Sequence, residues 1–156
     1  METTKTPILD GIKVVEFAQL TAAPLAGTLL ADLGADVVHV EDPGSGDPGR
    51  RMGYAKDGVK LWWKVSARNK RSVTLDLRSR EGQQVAYELV AWADVVITNM
   101  RPETLERWKL DWPSLHDLNS KLVMLHVTGM GANTTARNEP GFGKVGESMS
   151  GVVHIT

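Results

Sequence analysis

The punctuation of residues 9–41 constrains the fold more than anything else in this chain. Ile12, Val14, Val15 and Phe17 make a short, mostly apolar run, and Val37 to Glu41 makes a second. Between them Thr21 and Pro24 mark a helix start, and Gly34 stops that helix after Leu33. Apolar runs of this length suit strands buried on both faces of a parallel sheet. A helix with a threonine cap, proline in its first turn and glycine past its end is a suitable crossover. Such units bind ligands beyond the carboxyl ends of their strands. Chemistry is therefore expected in the residues that follow each strand.

Five strands are expected, at Ile12–Phe17, Val37–Glu41, Ser72–Asp76, Val95–Thr98 and Leu122–Val127. Helical segments separate most of them, the signature of an α/β fold. The helix from about Ser79 to Trp92 carries Val85, Leu89 and Trp92 at helical spacing, so these should form its apolar stripe. Pro102 should open a short helix through Leu105 and Trp108, and Pro113 another through Leu115 and Leu118. The stretch Asp42–Gly58, with five glycines and two prolines, reads as a long irregular loop. Loops of that length are usually functional or mobile. Trp62 and Trp63 just beyond it suit packing or an oligomer surface better than a ligand platform.

At 156 residues the chain amounts to one domain. A formal net charge of −1 argues against a general nucleic-acid or membrane-surface binder. No apolar run approaches the roughly 20 residues that span a bilayer. Met1 to Pro7 is polar and lacks the apolar core of a signal peptide. With no cysteine, disulfides, thiol catalysis and thiolate-bound metals are excluded, which fits a cytoplasmic protein. The apolar run Gly151–Thr156 at the carboxyl end reads as a core element cut short, so the chain is expected to be an incomplete piece of a longer one.

Cations recur where strands begin or end: Lys70 and Arg71 before the third strand, Arg78 after it, Arg101 after the fourth, and Arg107 one short helix later. Arg50 and Arg51 lie in the long loop. A guanidinium fork matches phosphate oxygens with two parallel hydrogen bonds. Thr21 sits at a helix amino terminus, whose free amides and positive dipole end suit a developing oxyanion or a carboxylate. Capping that helix is its other reading. His39, His116, His126 and His154 lack metal-site spacing and read as structural or exposed, so no metal is expected.

The segments "LDGIKVVEF", "AAPLAGTLLADLGADVVHVEDPGSGDPGR", "NKRSVTLDL" and "ADVVITNMRPETLERWKLDW" resemble, in order, the amino-terminal part of the family III CoA-transferases, or CaiB/BaiF family. That family includes formyl-CoA transferase and α-methylacyl-CoA racemase. The resemblance implies a Rossmann-like parallel sheet with flanking helices, the amino-terminal part of the family's large domain. Residues 1–156 would then be a single CoA-binding domain, with no permanently bound cofactor and with coenzyme A or acyl-CoA as substrate. By the same resemblance Asn99 and Met100 match an adenine-contacting pair, although relatives more often carry an aromatic residue at the second position. Leu75, Leu77 and Arg78 match further CoA contacts, and Arg107 a phosphate-side arginine. Thr21 borders the thioester as an oxyanion or thioester contact. Asp42 stands where some relatives have an arginine, which leaves one phosphate contact without its cation.

The family's nucleophile is an aspartate in a Gly-Asp motif beyond the Ser150-Gly151 element, and no residue of this sequence matches it. This chain alone is therefore expected to be inactive, within a full-length interlocked homodimer acting on acyl-CoA and carboxylic acid substrates. The racemase branch has histidine where Phe142 stands, so proton abstraction is disfavoured. Lys144, Glu147 and Gly151 would share one helical face, with Glu147 in a surface pair or turned toward substrate. Two other readings remain open. One is a non-catalytic module that binds acyl-CoA or pairs with a subunit. The other is an NAD-dependent oxidoreductase, suggested by Thr128-Gly129-Met130-Gly131 but weakened by Thr134 at the third glycine position.

Overall fold

Lys13–Phe17 (β1) is buried from Val14 onward, and its apolar side chains point alternately to opposite faces of the sheet. The computed structural model describes residues 6–156; Met1 to Lys5 of the polar start lie outside the described residues. Helix α1 (Ala22–Asp32) returns the chain to β2 (Asp36–Glu41), parallel to β1 in the register Val14↔Val37. Its stop is a Schellman turn: Ala35 N–H donates to Leu30 O, Gly34 N–H to Ala31 O, and Gly34 adopts φ 102°.

The remaining elements are β3 (Ala55–Lys56), β4 (Val59–Lys60), α2 (Leu61–Ser66), β5 (Lys70–Thr74), α3 (Arg80–Trp92), β6 (Val95–Thr98), α4 (Pro102–Trp108), α5 (Trp112–Leu118), β7 (Val123–His126), α6 (Gly143–Met149) and α7 (Val152–Ile155). Five parallel strands are ordered β5-β2-β1-β6-β7, as the α/β reading requires. The strand order reverses at β1 and β6. One face packs Val14, Val37 and Ile97 under Ala23 and Ala31 of α1. The other packs Val15, Phe17, Val40 and Val96 against Ala86 and Val90 of α3, Leu105 of α4 and Leu115 of α5.

Four expectations are corrected. The third strand starts at Lys70, two residues before the expected Ser72, because the ladder with β2 begins at Val37↔Lys70. Lys70 and Arg71 are therefore strand residues at the amino end of the sheet. Helix α3 buries Gly82, Ala86 and Val90; of the expected stripe, Leu89 and Trp92 pack partly buried against this core, while Val85 is exposed. Small residues win that face because the helix lies close to the preceding turn: a Cβ on Gly82 would come 2.1 Å from Asp76 O. The segment 42–58 is ordered by a 3-10 turn at Pro48–Arg51 and the antiparallel β3–β4 pair. At the carboxyl end Gly151 (φ 81°) separates α6 from α7, so no single helix carries Lys144, Glu147 and Gly151 on one face.

Candidate functional site

The strand ends open into two adjoining cavities at the switch point, where a parallel sheet of this topology leaves a crevice. The larger, about 280 Å³, lies between the turns after β1 (Gln19 to Ala22), β6 (Asn99 to Arg101) and β7 (Val127 to Gly129), and is closed by Arg137 and residues 139–143. The smaller, about 200 Å³, is lined by Asp42 after β2, Leu75 to Arg78 after β5, Met100 and Trp108. Gln19 and Met100 border both. Of the residues singled out from the sequence, Thr21, Asn99 and Met100 meet at the first cavity, and Leu75, Leu77, Arg78 and Met100 at the second. Arg107 lines neither cavity; it is exposed, with its guanidinium 5.9 Å from the Trp108 ring.

Local hydrogen bonds fix these turns. Asn99 Nδ2–H donates to Gln19 O (2.8 Å), and Gln19 N–H donates to Asn99 Oδ1 (3.0 Å), clamping the β6 turn to the β1 turn. His126 Nε2 lies 2.7 Å from Met100 O, and Met100 N–H donates to Thr98 Oγ1. Thr21 occupies the N-cap position of α1 but makes no capping hydrogen bond with its side chain. Its hydroxyl is thus left at the cavity edge, beside amides of the first helical turn that lack intrahelical partners.

The candidate cations divide by location. Arg78 is exposed and shared between Asp76 (2.7 Å) and Asp42 (3.1 Å). Pairing with Arg78 holds the Asp76 carboxyl below its ordinary range. Arg101 lines the larger cavity 3.8 Å from Glu103. Arg137, which sequence reasoning passed over, also lines it and pairs with Glu106. Arg50 and Arg51 are turned to structural use, Arg50 forking onto Glu41 and Arg51 donating to Ser45 O. Arg71 pairs with Asp36, and Lys70 is buried.

The larger omission was a polar network under α1. Glu16, His39 and Asp47 are 0, 2 and 1% exposed. His39 Nδ1 lies 2.5 Å from Glu16 Oε1, and His39 Nε2 lies 3.3 Å from Asp47 Oδ2, an ion-pair contact that is not aligned as a hydrogen bond. Lys70 Nζ donates to both Glu16 oxygens and to Pro24 O. Burial by itself pushes the imidazole pKa down, but Asp47 and Glu16 outweigh it and raise it to about 9. Beside it Glu41 accepts from Arg50, Ser72 and the Asp47 amide. Burial there would raise the carboxyl, and these donors bring it instead to about 2. A signal was present in the sequence: Glu16 and His39 interrupt strands otherwise apolar enough for double burial, and a buried charge requires a partner. Trp63 of the tryptophan pair packs here, 5.8 Å from the His39 ring and 4.3 Å from the Arg50 guanidinium.

Gly129, the first glycine of the dinucleotide-like motif, serves a close backbone crossing. A Cβ there would come 2.1 Å from the Gly141 Cα, and the reverse contact is 2.2 Å. The pair seats the loop before α6 against the β7 turn, at the mouth of the larger cavity.

The pattern of the family described as CoA-transferase family III matches residues 9–156. A succinyl-CoA–D-citramalate CoA-transferase of Chloroflexus aurantiacus is 48% identical over 149 residues, 95% of this chain and 37% of that protein. A succinate–glutarate CoA-transferase of Agrobacterium fabrum is 39% identical, over 97% of this chain and 40% of that protein. Among solved structures, a CaiB/BaiF family protein from Brucella suis superposes with a TM-score of 0.86 at 37% identity, covering 95% of this chain and 40% of its own. The chain thus spans a little over a third of the length of the curated relatives named here.

Proposed function

The chain belongs to CoA-transferase family III, and from that premise we propose that it forms the CoA-binding part of an enzyme transferring CoA from an acyl-CoA thioester to a carboxylic acid. The observation that carries this reading is the pair of adjoining cavities at the switch point, joined at Gln19 and Met100. The nucleotide lies in the smaller one. Adenine packs against Met100, Leu75 and Leu77; a thioether is polarisable enough to replace an aromatic face. Arg78 takes the phosphates by exchanging its bonds to Asp42 and Asp76 for phosphate oxygens, and Arg107, outside the cavity beside Trp108, is added as a phosphate contact by the family resemblance. Because Asn99 spends its amide on Gln19, it contributes to the site chiefly by holding the β1 turn.

The pantetheine arm then runs past Gln19 into the larger cavity and brings the thioester to Thr21 and the α1 amino terminus. Those groups favour the negative charge that develops on the thioester oxygen. An aspartate outside this sequence attacks the thioester carbonyl and expels CoA thiolate, leaving a mixed anhydride. The thiolate attacks the aspartyl carbonyl, releasing the donor acid and leaving aspartyl-CoA. The acceptor carboxylate repeats the sequence in reverse, taking CoA and freeing the aspartate. Succinyl-CoA is the first donor to test, since relatives are named for it. An interlocked homodimer and a cytoplasmic location belong to the same proposal and rest on the family resemblance.

The test is titration calorimetry of the chain with CoA, with NAD as control. CoA binding lost in Arg78→Ala and Arg107→Ala variants is the expected result. A folded chain that binds NAD and ignores CoA would overturn the reading.

A further inference from the structure

The turn Gln19–Thr21 that edges both cavities is held in a strained form. Leu20 adopts φ 66°, a left-handed conformation uncommon for a side chain larger than glycine. Strain of this kind persists only where surrounding contacts over-determine it. Here the contact comes from below: Leu20 N–H points between both carboxylate oxygens of Asp47, 3.2 Å from each. Asp47 also accepts from Gly49 N–H (2.6 Å), and its own amide donates to Glu41. Its carboxylate is therefore fixed between the long loop and the site turn.

We propose that His39 and Asp47 are positioning residues that lock the Gln19–Thr21 turn from inside the core, the charged imidazole holding Asp47 and Asp47 holding Leu20. The catalytic relevance of that lock rests on the reading of the turn as the thioester edge; the lock itself does not. The groups facing His39 are Glu16 from β1, Lys70 and Ser72 from β5, Asp47 from the loop and the Trp63 ring from α2, with Glu41 and Arg50 one step removed. Charge balance requires the proton. Lys70 and imidazolium together match Glu16 and Asp47, whereas a neutral His39 leaves one buried carboxylate in excess, a costly state. The elevated imidazole pKa agrees with this arrangement. Losing the proton weakens the hold on Asp47 and so on the Leu20 amide.

The test is nuclear magnetic resonance of the whole 156-residue chain, following the Leu20 and Gly49 amides and the His39 ring nitrogens from neutral to alkaline pH. The amides are expected to shift together with the imidazole titration. In His39→Phe the step should vanish, and Leu20 amide exchange should rise about tenfold as the Asp47 carboxylate loses its buried counter-charge. Exchange of Ala86 and Val90 in α3 should change by no more than the loss of global stability read by urea unfolding, and by less than that of Leu20. Asp47→Asn keeps one acceptor oxygen and should preserve part of the protection, guarding against a phenylalanine variant that fails to fold. A Leu20 amide indifferent to pH and to both substitutions would overturn the lock. So would protection falling evenly across the sheet, which marks a merely structural role. CoA titrations of the same samples separate the two readings. Weaker binding in step with Leu20 loosening supports both, whereas a responsive Leu20 in a chain that never binds CoA keeps the lock and rejects the site assignment.

Discussion

Replacing Gly27 by alanine sets two effects against each other, and the structure decides the sign. Gly27 lies within α1, where intrinsic propensity favours alanine by about 1 kcal/mol. A Cβ there would stand 1.9 Å from Glu16 Oε2 and 3.4 Å from Lys70 Nζ. Glu16 cannot step aside freely, since its carboxylate is held by Lys70 and His39. Overpacking a tight interior costs about 1–3 kcal/mol. Disturbing a hydrogen bond to a charged group adds about 1.5–3 kcal/mol. After the helical gain, a net destabilisation of about 1.5–5 kcal/mol is expected, a large part of a stability of ~5–15 kcal/mol. Urea unfolding of the wild type and variant measures it. Gly146 in α6, where a Cβ meets nothing within 4 Å, is the internal control, and Gly146→Ala should stabilise by about 0.5–1 kcal/mol. In a Glu16→Ala background the clash is gone, so the cost of Gly27→Ala should shrink by about 2–3 kcal/mol of coupling. A Gly27→Ala protein as stable as wild type, or an undiminished cost without Glu16, would refute the reasoning.

Stability should be highest between pH 4.5 and 6.5 and fall on either side. Glu41, lowered from 4.5 to about 2, contributes fully above pH 4.5 and is lost as pH drops toward 2. His39, raised from 6.5 to about 9, contributes fully below pH 6.5 and is lost as pH climbs toward 9. Urea midpoints across pH should show both limbs, flattened on the acid side by Glu41→Gln and on the alkaline side by His39→Phe; unchanged limbs would show that these groups do not set the profile. Asn99→Ala removes both bonds to the Gln19 backbone and should cost about 1–2 kcal/mol together with CoA affinity, read by urea unfolding and calorimetry. Gly129→Ala forces two backbones apart and should cost about 1–3 kcal/mol and weaken CoA binding, read in the same two assays.

Much of the scaffold was legible because its signals are local. Gly34, Pro102 and Pro113 mark helix ends through backbone preferences that need no tertiary context, and the corresponding helices are present. The apolar runs around Val14, Val37 and Val96 likewise became central strands. On α3, Leu89 and Trp92 face the core as expected and only Val85 was misplaced, for a reason of packing. Hydrophobicity favours Val85, but close approach to the Asp76 turn admits only the small Gly82 at that point. Charge was harder still. Arg50 and Arg78 look alike in sequence, yet one is spent on Glu41 and the other stands at a cavity wall, because a cation's role depends on the nearest carboxylate in space.

By itself the sequence determined the α/β alternation, the parallel sheet, the family and the turns in which chemistry should be sought. Backbone propensity and hydrophobic period act over a few residues, and the chain carries them openly. Only the tertiary structure decided which charges are free and which are paired. Glu16, His39, Asp47 and Lys70 come from two neighbouring strands, a third strand beside them and a loop, and meet only when the sheet forms. Electrostatic interactions depend on distance and burial, neither of which can be read from spacing along the chain.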